Sequence, residues 1–212
     1  MSRCPILIIL AGPNGSGKTT FANLLQQDEW GKSCRVINAD AIAESLGSWN
    51  DEACIIKAQQ LTRERLQQAL ARRDDILYET VFSHPSKLEL IRQARMLGYF
   101  IRLFFICTES PRINLERIAG RFAQGEHDVP GDKVTQRYHR SLLYGPRAMR
   151  LVQRGYLFDN SSVAAKGAVS FKPIFRTIDG VSEKLYLDKK EMPPSYRYFV
   201  EDFERTPFDE EL

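Results

Sequence analysis

The chain has 212 residues, of which 43% are hydrophobic and 27% are charged, so it can build one sizeable core and lacks the composition of a disordered protein. The net charge is +3 and is unevenly distributed. Residues 201–212 carry six acids and one base, a net of −5, so residues 1–200 form a basic body with a net charge of +8. A basic body suits an anionic ligand. No apolar run approaches the ~20 residues of a membrane-spanning helix, and the run at residues 6–11 is too short for a secretion signal, so we expect a cytoplasmic protein without a membrane partner.

Strands and helices are predicted to alternate along residues 5–161. The predicted strands cover residues 5–11, 35–37, 76–78, 99–107 and 156–158. Five helices are predicted. The first starts at Lys18, the second covers residues 51–73 and is capped by Asn50, and the third starts near Ser83. The fourth runs from Ser110 to about Phe122, and the fifth runs from Lys133 to Arg154 with a kink near Gly145-Pro146. This alternation predicts an α/β fold of three layers, in which a five-stranded, mostly parallel sheet lies between helices.

The alternation stops after the fifth strand. Asp179-Gly180 separates residues 171–178 from residues 181–187 and predicts a β-hairpin. The rest is the acidic tail, whose packing the sequence leaves open. We therefore expect a core domain over residues 1–162 and a C-terminal hairpin and tail over residues 163–212, packed on that domain or extending from it.

The loop after the first strand matches the phosphate-binding pattern G-x-x-x-x-G-K-[ST] at Gly12–Thr19. Backbone N–H groups of such a loop can surround phosphate oxygens at the start of a helix. We expect Lys18 to reach the β- and γ-phosphates and the Thr19 hydroxyl to ligate Mg²⁺. The predicted nucleotide-binding residues of the loop are Gly12, Asn14, Gly15, Ser16, Gly17, Lys18, Thr19 and Thr20. The motif predicts a P-loop NTPase fold that uses ATP or GTP with Mg²⁺.

Carboxylates follow two of the predicted strands, at the edge where a parallel sheet binds its ligand. Asp40 comes after the second strand, and Glu79-Thr80 ends the third. These side chains are placed to hold metal-bound waters or an acceptor hydroxyl, and helix capping is the alternative role for each carboxylate. Asp159, in Asp-Asn-Ser, is interpreted as turn chemistry.

Two pairs of arginines flank the polar loop at residues 123–132. Arg117 and Arg121 are spaced i, i+4 on one predicted helix, and Arg137 and Arg140 are spaced i, i+3 on the next. Mobile cations beside a phosphate site offset the charge of a transferring phosphoryl group and expel water. The loop and its flanks are therefore a candidate lid, and we expect about half of these arginines to touch phosphate.

Over about residues 5–162, a series of motifs resembles the zeta-toxin-like P-loop kinases, in the branch of predicted ABC-type ATPases. The motifs are Gly12-Pro-Asn-Gly-Ser-Gly-Lys-Thr-Thr, Asn38-Ala-Asp40, Glu79-Thr80 with Ser83, Arg121-x-x-x-Gly125-Glu-His127-Asp-Val-Pro130, Arg137-Tyr-x-Arg140-Ser and Phe158-Asp-Asn-Ser161. The resemblance implies a Mg-ATP-dependent phosphotransferase. Members with known chemistry phosphorylate UDP-N-acetylglucosamine on the sugar 3′-hydroxyl, so a UDP-sugar is the implied acceptor and an antitoxin-like protein is an implied partner.

The resemblance also implies roles at the acceptor site. Asp40 falls at the position of the base, and Glu79 falls at a position that binds the sugar nucleotide, with Thr80 and Ser83 as neighbouring contacts. The Thr and Arg that follow this Glu in the toxins are Val81 and Ser83 here, which leaves the identity of the acceptor open.

At the lid, the resemblance implies that Arg117 or Arg121 contacts the triphosphate during catalysis. The second lid arginine of the toxins falls on His127, so that His127 is an expected nucleotide contact and Arg137 or Arg140 an alternative source of its charge.

Two other classes of function stay open. The basic body also suits a polynucleotide or RNA kinase-like enzyme, but the sequence lacks a basic stripe interleaved with aromatics, so nucleic acid is the less favoured ligand. The acidic tail also suits a non-catalytic ATP-binding partner protein of a toxin–antitoxin type system.

Overall fold

The computed structural model describes residues 3–47, 52–122, 130–162 and 170–207. In chain order the elements are β1 (Ile6–Ala11), α1 (Lys18–Gln27), β2 (Arg35–Asn38), α2 (Ala39–Leu46), α3 (Glu52–Arg72), β3 (Ile76–Thr80), α4 (Ser86–Met96), β4 (Phe100–Cys107), α5 (Pro111–Phe122), α6 (Gly131–Leu151), β5 (Arg154–Asp159), β6 (Lys172–Ile178), β7 (Val181–Leu185) and α7 (Pro194–Arg205). In these described ranges no helix is long and apolar enough to cross a membrane.

The strands form one sheet in the order β2-β3-β1-β4-β5-β6-β7. The first five strands of the chain, β1 to β5, run parallel to one another. Alternate residues of β1 enter different cores: Leu7 and Ile9 pack on one face of the sheet, and Ile8 and Leu10 on the other. A continuous apolar run is what a strand covered on both faces requires. The α/β fold with helices on both faces is therefore confirmed.

The strand order places the loop at residues 12–19 at the ligand-binding crevice of the sheet. From β1 the chain moves toward β3 and β2, whereas β4 and β5 lie on the other side of β1. The carboxyl end of β1 is thus a point where the direction of winding reverses, and open α/β sheets bind ligands at such points.

The predicted hairpin is confirmed, and it belongs to the sheet itself. β6 pairs antiparallel with β5, and β7 pairs antiparallel with β6, which gives seven strands where the sequence predicts five plus a separate hairpin. The turn residues Asp179 and Gly180 both have positive φ, 48° and 69°. A two-residue turn of this kind matches the twist of the strands it joins.

One helix was not predicted from sequence. Asn38 ends β2 and at once caps α2, because its Oδ1 accepts hydrogen bonds from the backbone N–H of Asp40 (2.7 Å) and of Ala41 (3.4 Å). Asp40 therefore lies in the first turn of a helix, and not at the end of a strand. The predicted cap at Asn50 lies outside the described residues.

The long helix before β5 also differs from its prediction. α6 begins at Gly131 and ends at Leu151, and it continues through Pro146. The helix ends earlier than predicted because Arg154 already belongs to β5, where it pairs with Arg102 of β4.

The segment after the hairpin packs into the main core. α7 buries Tyr196, Phe199, Val200 and Phe203. The ring of Phe199 lies 5.0 Å from that of Phe105 in β4, between ring centroids. Residues 194–205 therefore share one hydrophobic core with the parallel strands.

Close packing between α6 and α7 makes Gly145 sensitive to substitution. A Cβ at Gly145 would lie 2.4 Å from Phe199 Cε2 and 2.7 Å from Phe105 Cε2. Gly145→Ala should therefore lower the free energy of unfolding by about 1–3 kcal/mol, measured by urea denaturation. Gly120→Ala in α5 is the matched control, since nothing lies within 4 Å of its added Cβ. Equal stability of the two variants would contradict the packing of α7 described above.

Candidate functional site

The loop between β1 and α1 depends on glycine. Gly12, Gly15 and Gly17 have φ values of 141°, 74° and 95°, which L-residues with a Cβ rarely adopt. An added Cβ would lie 1.9 Å from Ile106 O at Gly12 and 2.3 Å from Asn160 Nδ2 at Gly17. The backbone of the loop is therefore packed tightly from behind, which restricts its conformation.

Two buried asparagines hold this loop from outside. Asn160, which follows β5, donates from Nδ2 to Ser16 O at 2.8 Å. Asn114 of α5 donates from Nδ2 to Asn14 O, and its Oδ1 accepts from the Thr108 hydroxyl. Sequence reasoning assigned neither residue to the site.

A signal for Asn114 was present in the sequence. Asn114 and Ile118 are the buried residues of α5, spaced i, i+4, so a polar side chain occupies a core-facing position of an amphipathic helix. Buried amides need partners, and a buried amide on the helix after β4 indicates a polar partner at that end of the sheet.

Lys18 is buried inside the loop. Its Nζ donates to Pro13 O at 2.9 Å, and its side chain belongs to the buried charged residues. Burial lowers the pKa of Lys18, while the charges of Glu79 and Asp40 raise it. Glu79 also accepts a hydrogen bond from Thr19, the next residue along the loop.

The loop also contains an unpaired hydroxyl. Ser16 is fully buried, and its Oγ has no hydrogen-bond partner among the described residues. A buried hydroxyl without a partner is costly in a finished protein interior. Together with the restricted backbone and the buried lysine, it makes the loop a good fit for a polyanion such as a triphosphate.

Glu79 connects the loop to the second strand. Its Oε1 accepts from the Thr19 hydroxyl at 2.9 Å, and its Oε2 accepts from Asn38 Nδ2 at 2.8 Å. Burial raises the pKa of Glu79, and the charge of Lys18 opposes this. The predicted substrate residue thus has both oxygens engaged by neighbours, one of which is the predicted metal ligand.

Asp40 lies on the open side of this cluster. It is exposed in the first turn of α2, which Asn38 caps while also holding Glu79. Burial lowers the pKa of Lys18 and the charge of Asp40 partly offsets this, whereas burial and then the charge of Asp40 raise the pKa of Glu79. One amide side chain therefore positions the exposed carboxylate and the buried carboxylate relative to each other.

The other predicted acceptor residues lie at the same edge of the sheet without reaching the loop. The Thr80 hydroxyl accepts from the backbone N–H of Phe82 at 3.3 Å, so it stabilises a local turn. Phe82 is buried and has a φ of 59°. Ser83 is half-buried. Thr20, predicted in the loop, is exposed on α1.

Two arginines beside the predicted lid influence the loop in different ways. The charges of Arg121 and Arg137 both lower the pKa of Lys18. Arg137 also donates from Nη1 to Asn14 Oδ1 at 3.4 Å. Arg137 of α6 thus contacts the loop directly, whereas Arg121 of α5 is connected to it only through the effect of its charge on the pKa of Lys18.

The other lid residues are placed differently. Arg117 donates from Nη2 to Ser161 O at 3.4 Å, and burial, followed by the charge of Arg121, lowers its pKa. Arg140 is exposed on α6. His127 lies outside the described residues.

The raised pKa of Glu79 predicts a dependence of stability on pH. Above its ordinary value of 4.5 the unfolded chain releases this proton, whereas the folded protein keeps it to higher pH. The stability of the wild type relative to Glu79→Gln should therefore fall as pH rises from about 4.5 through the raised pKa. Thermal unfolding of both proteins across this range measures the difference, and a gain for the wild type over the same range would contradict it.

The zeta toxin family model matches residues 1–171, which is more than half of the chain. The chain belongs to the zeta toxin family. It is a P-loop kinase, as its phosphate loop and strand order indicate. This confirms the family that the sequence motifs resemble, and it places the family match over β1 to β5 and the residues that follow.

Proteins of known sequence or structure that are similar to this chain match much of its length. An uncharacterized protein of Haemophilus influenzae is 28% identical over 131 residues, 62% of this chain and 91% of its own length. The PezAT toxin–antitoxin structure from Streptococcus pneumoniae has a TM-score of 0.62 at 14% identity, covering 96% of this chain and 85% of its own. The AvrRxo1-ORF1:-ORF2 structure with ATP has a TM-score of 0.63 at 18% identity, and the match covers 86% of this chain and 61% of that chain. At these identities the two structures show a shared fold.

Proposed function

We propose that this zeta toxin family kinase transfers the γ-phosphate of Mg²⁺-bound ATP to a hydroxyl of a small molecule, with a UDP-sugar such as UDP-N-acetylglucosamine as the first candidate. The observation that carries the proposal is the chain of hydrogen bonds between the phosphate loop and the exposed Asp40: Thr19, next to the buried Lys18, donates to Glu79, Asn38 donates to Glu79, and Asn38 caps the helix that carries Asp40. A kinase needs both groups together: a cation to hold the phosphate and an accessible base beside it.

The nucleotide would be held by this chain's own groups. Backbone N–H groups of residues 12–19 and the Lys18 ammonium would bind the phosphates, and Ser16 Oγ would gain a partner. Arg121 and Arg137 would offset charge from the lid side. Bound Mg²⁺·ATP supplies the phosphoryl group and part of the charge that activates it.

The metal ligand would be oriented by Glu79. The Thr19 hydroxyl, the expected ligand of Mg²⁺, already donates to Glu79 Oε1. A carboxylate in this place can hold the hydroxyl so that its lone pairs face the metal, or can accept from a metal-bound water. Glu79 therefore has a positioning role in the proposal, which differs from the sugar-nucleotide contact that the motif resemblance implies.

The acceptor would bind on the exposed side of Asp40. Asp40 would accept the proton of the attacking hydroxyl and hold it in place for reaction. The preference for a UDP-sugar is supported by the motif resemblance alone. The toxin–antitoxin origin of the PezAT neighbour supports an antitoxin-like protein partner here.

A screen of acceptors tests the proposal. The protein would be incubated with γ-labelled ATP, Mg²⁺ and either UDP-N-acetylglucosamine, other UDP-sugars, free N-acetylglucosamine or a 5′-hydroxyl RNA oligonucleotide. We expect label in a small phosphorylated product for at least one sugar-containing acceptor. Label on the RNA alone would instead support the polynucleotide kinase reading, and label only in inorganic phosphate with every acceptor would contradict a small-molecule kinase.

A further inference from the structure

The turn that follows β5 is a structural support of the phosphate loop. Asn160 is buried, donates from Nδ2 to Ser16 O at 2.8 Å, and donates from its backbone N–H to Cys107 O at 2.8 Å. A Cβ added at Gly17 would lie only 2.3 Å from Asn160 Nδ2, so the Asn160 amide lies directly against the loop. The turn therefore contacts the loop backbone directly at Ser16 and Gly17.

The same turn is held by a tyrosine from the C-terminal helix. Tyr196 of α7 is fully buried, and its hydroxyl donates to Asp159 Oδ1. Asp159 Oδ1 also accepts from the backbone N–H of Ser161 at 2.8 Å and from the Ser161 hydroxyl. A carboxylate oxygen with three donors fixes the residues on both sides of Asn160, because charge-assisted hydrogen bonds are short and strong.

A second set of contacts joins α7 to the loop before α5 and to Arg117 of α5. Ser195 donates from Oγ to Glu109 O at 3.0 Å, and the backbone N–H of Glu109 donates to Ser161 Oγ at 2.8 Å. Ser161 O accepts from Arg117 Nη2 at 3.4 Å. The start of α7 thus contacts both the turn after β5 and Glu109 in the loop between β4 and α5.

We propose that Tyr196 is a positioning residue of the nucleotide site. Its hydroxyl holds Asp159, and through the Asp159–Ser161 turn Asn160 holds the phosphate loop in the conformation that binds ATP. The family match ends at residue 171, so Tyr196 lies in the segment beyond it, and this segment completes the site. The inference rests on the proposed function only in requiring that the loop bind ATP, and it is independent of the acceptor.

Tyr196→Phe isolates the hydroxyl, because the ring still fills the core. Tyr198→Phe is the matched control, since it removes the same group from the same helix where the side chain is 47% exposed. The dissociation constant for ATP with Mg²⁺ would be measured by calorimetry at a temperature well below the melting points of all variants. We expect the dissociation constant for ATP to rise about three- to ten-fold for Tyr196→Phe, a change in free energy similar to that of one buried hydrogen bond. We expect no change for Tyr198→Phe.

A double-mutant cycle separates positioning from a general loss of stability. Asn160→Ala should weaken ATP binding by itself, and adding Tyr196→Phe should cause less further loss than Tyr196→Phe causes in the wild type, because both act through one turn. Fully additive losses, or unchanged ATP binding by Tyr196→Phe, would overturn the inference. No ATP binding by the wild type would overturn the proposed function along with it, whereas a wrong acceptor would leave this test intact.

Discussion

Lys18→Met should reduce kcat/KM for ATP by about 10²–10³-fold, because it removes the buried cation that the phosphate loop places at its centre. Methionine has nearly the length of lysine and no charge, so the loop keeps its packing. Burial lowers the pKa of Lys18, which means that the charged side chain is unfavourable in the absence of a ligand. The variant should therefore melt at the same or a higher temperature than the wild type without nucleotide.

Loss of activity together with retained stability is what distinguishes this effect from misfolding. Lys32→Met, at an exposed lysine outside the site, is the control and should leave both quantities unchanged. Steady-state ATP turnover and thermal unfolding measure them. Near-normal ATP turnover by Lys18→Met would mean that the loop is not the nucleotide site.

Asp40→Asn should lower phosphoryl transfer by about 10²–10⁴-fold, because asparagine cannot accept the proton of the attacking hydroxyl. ATP binding should stay equal or become slightly tighter. The reason is that Asp40 is an anion close to Lys18, so its removal lowers repulsion toward the phosphates. Loss of transfer together with equal or slightly tighter ATP binding is a combination that general damage to the fold would not produce.

Glu44→Gln provides the control for this substitution. Glu44 is an exposed carboxylate of the same helix, α2, and has no place in the proposed machinery. Transfer and ATP binding by Glu44→Gln should match the wild type. Full transfer activity in Asp40→Asn would exclude Asp40 as the base.

Features encoded by neighbouring residues could be predicted from the sequence. The continuous apolar run of β1 requires burial on both faces, and the glycines and lysine of residues 12–19 mark a loop of one shape. The turn at Asp179-Gly180 requires positive φ, which these residues tolerate. Each of these signals lies within about ten residues of chain, so no tertiary contact is needed to interpret it.

Features made by distant residues could not be predicted. The hydrogen bond from Thr19 to Glu79 joins positions 60 residues apart, and that from Tyr196 to Asp159 joins positions 37 apart. Sequence spacing carries no information on such pairs. The role of Asn38 was harder still to predict, because this residue ends a strand, caps an eight-residue helix and also donates a hydrogen bond to Glu79.

The arginines beside the candidate lid show what helical periodicity can and cannot predict. The spacings i, i+4 and i, i+3 identified side chains on shared helix faces, but not what those faces contact. Arg121 and Arg137 act on Lys18, whereas Arg117 contacts Ser161 and Arg140 is exposed. Which member of each pair approaches the loop depends on how α5 and α6 are oriented by the core.

The measurement that tests the central claim most directly is a crystal structure with Mg²⁺ and a non-hydrolysable ATP analogue. We expect the triphosphate to lie in the loop at residues 12–19, with Lys18 Nζ moved from Pro13 O to a phosphate oxygen, and with the Asp40 carboxylate facing the terminal phosphate across a space open to an acceptor. A triphosphate bound elsewhere, or a Lys18 still paired with Pro13 O beside a bound nucleotide, would contradict the proposed kinase site.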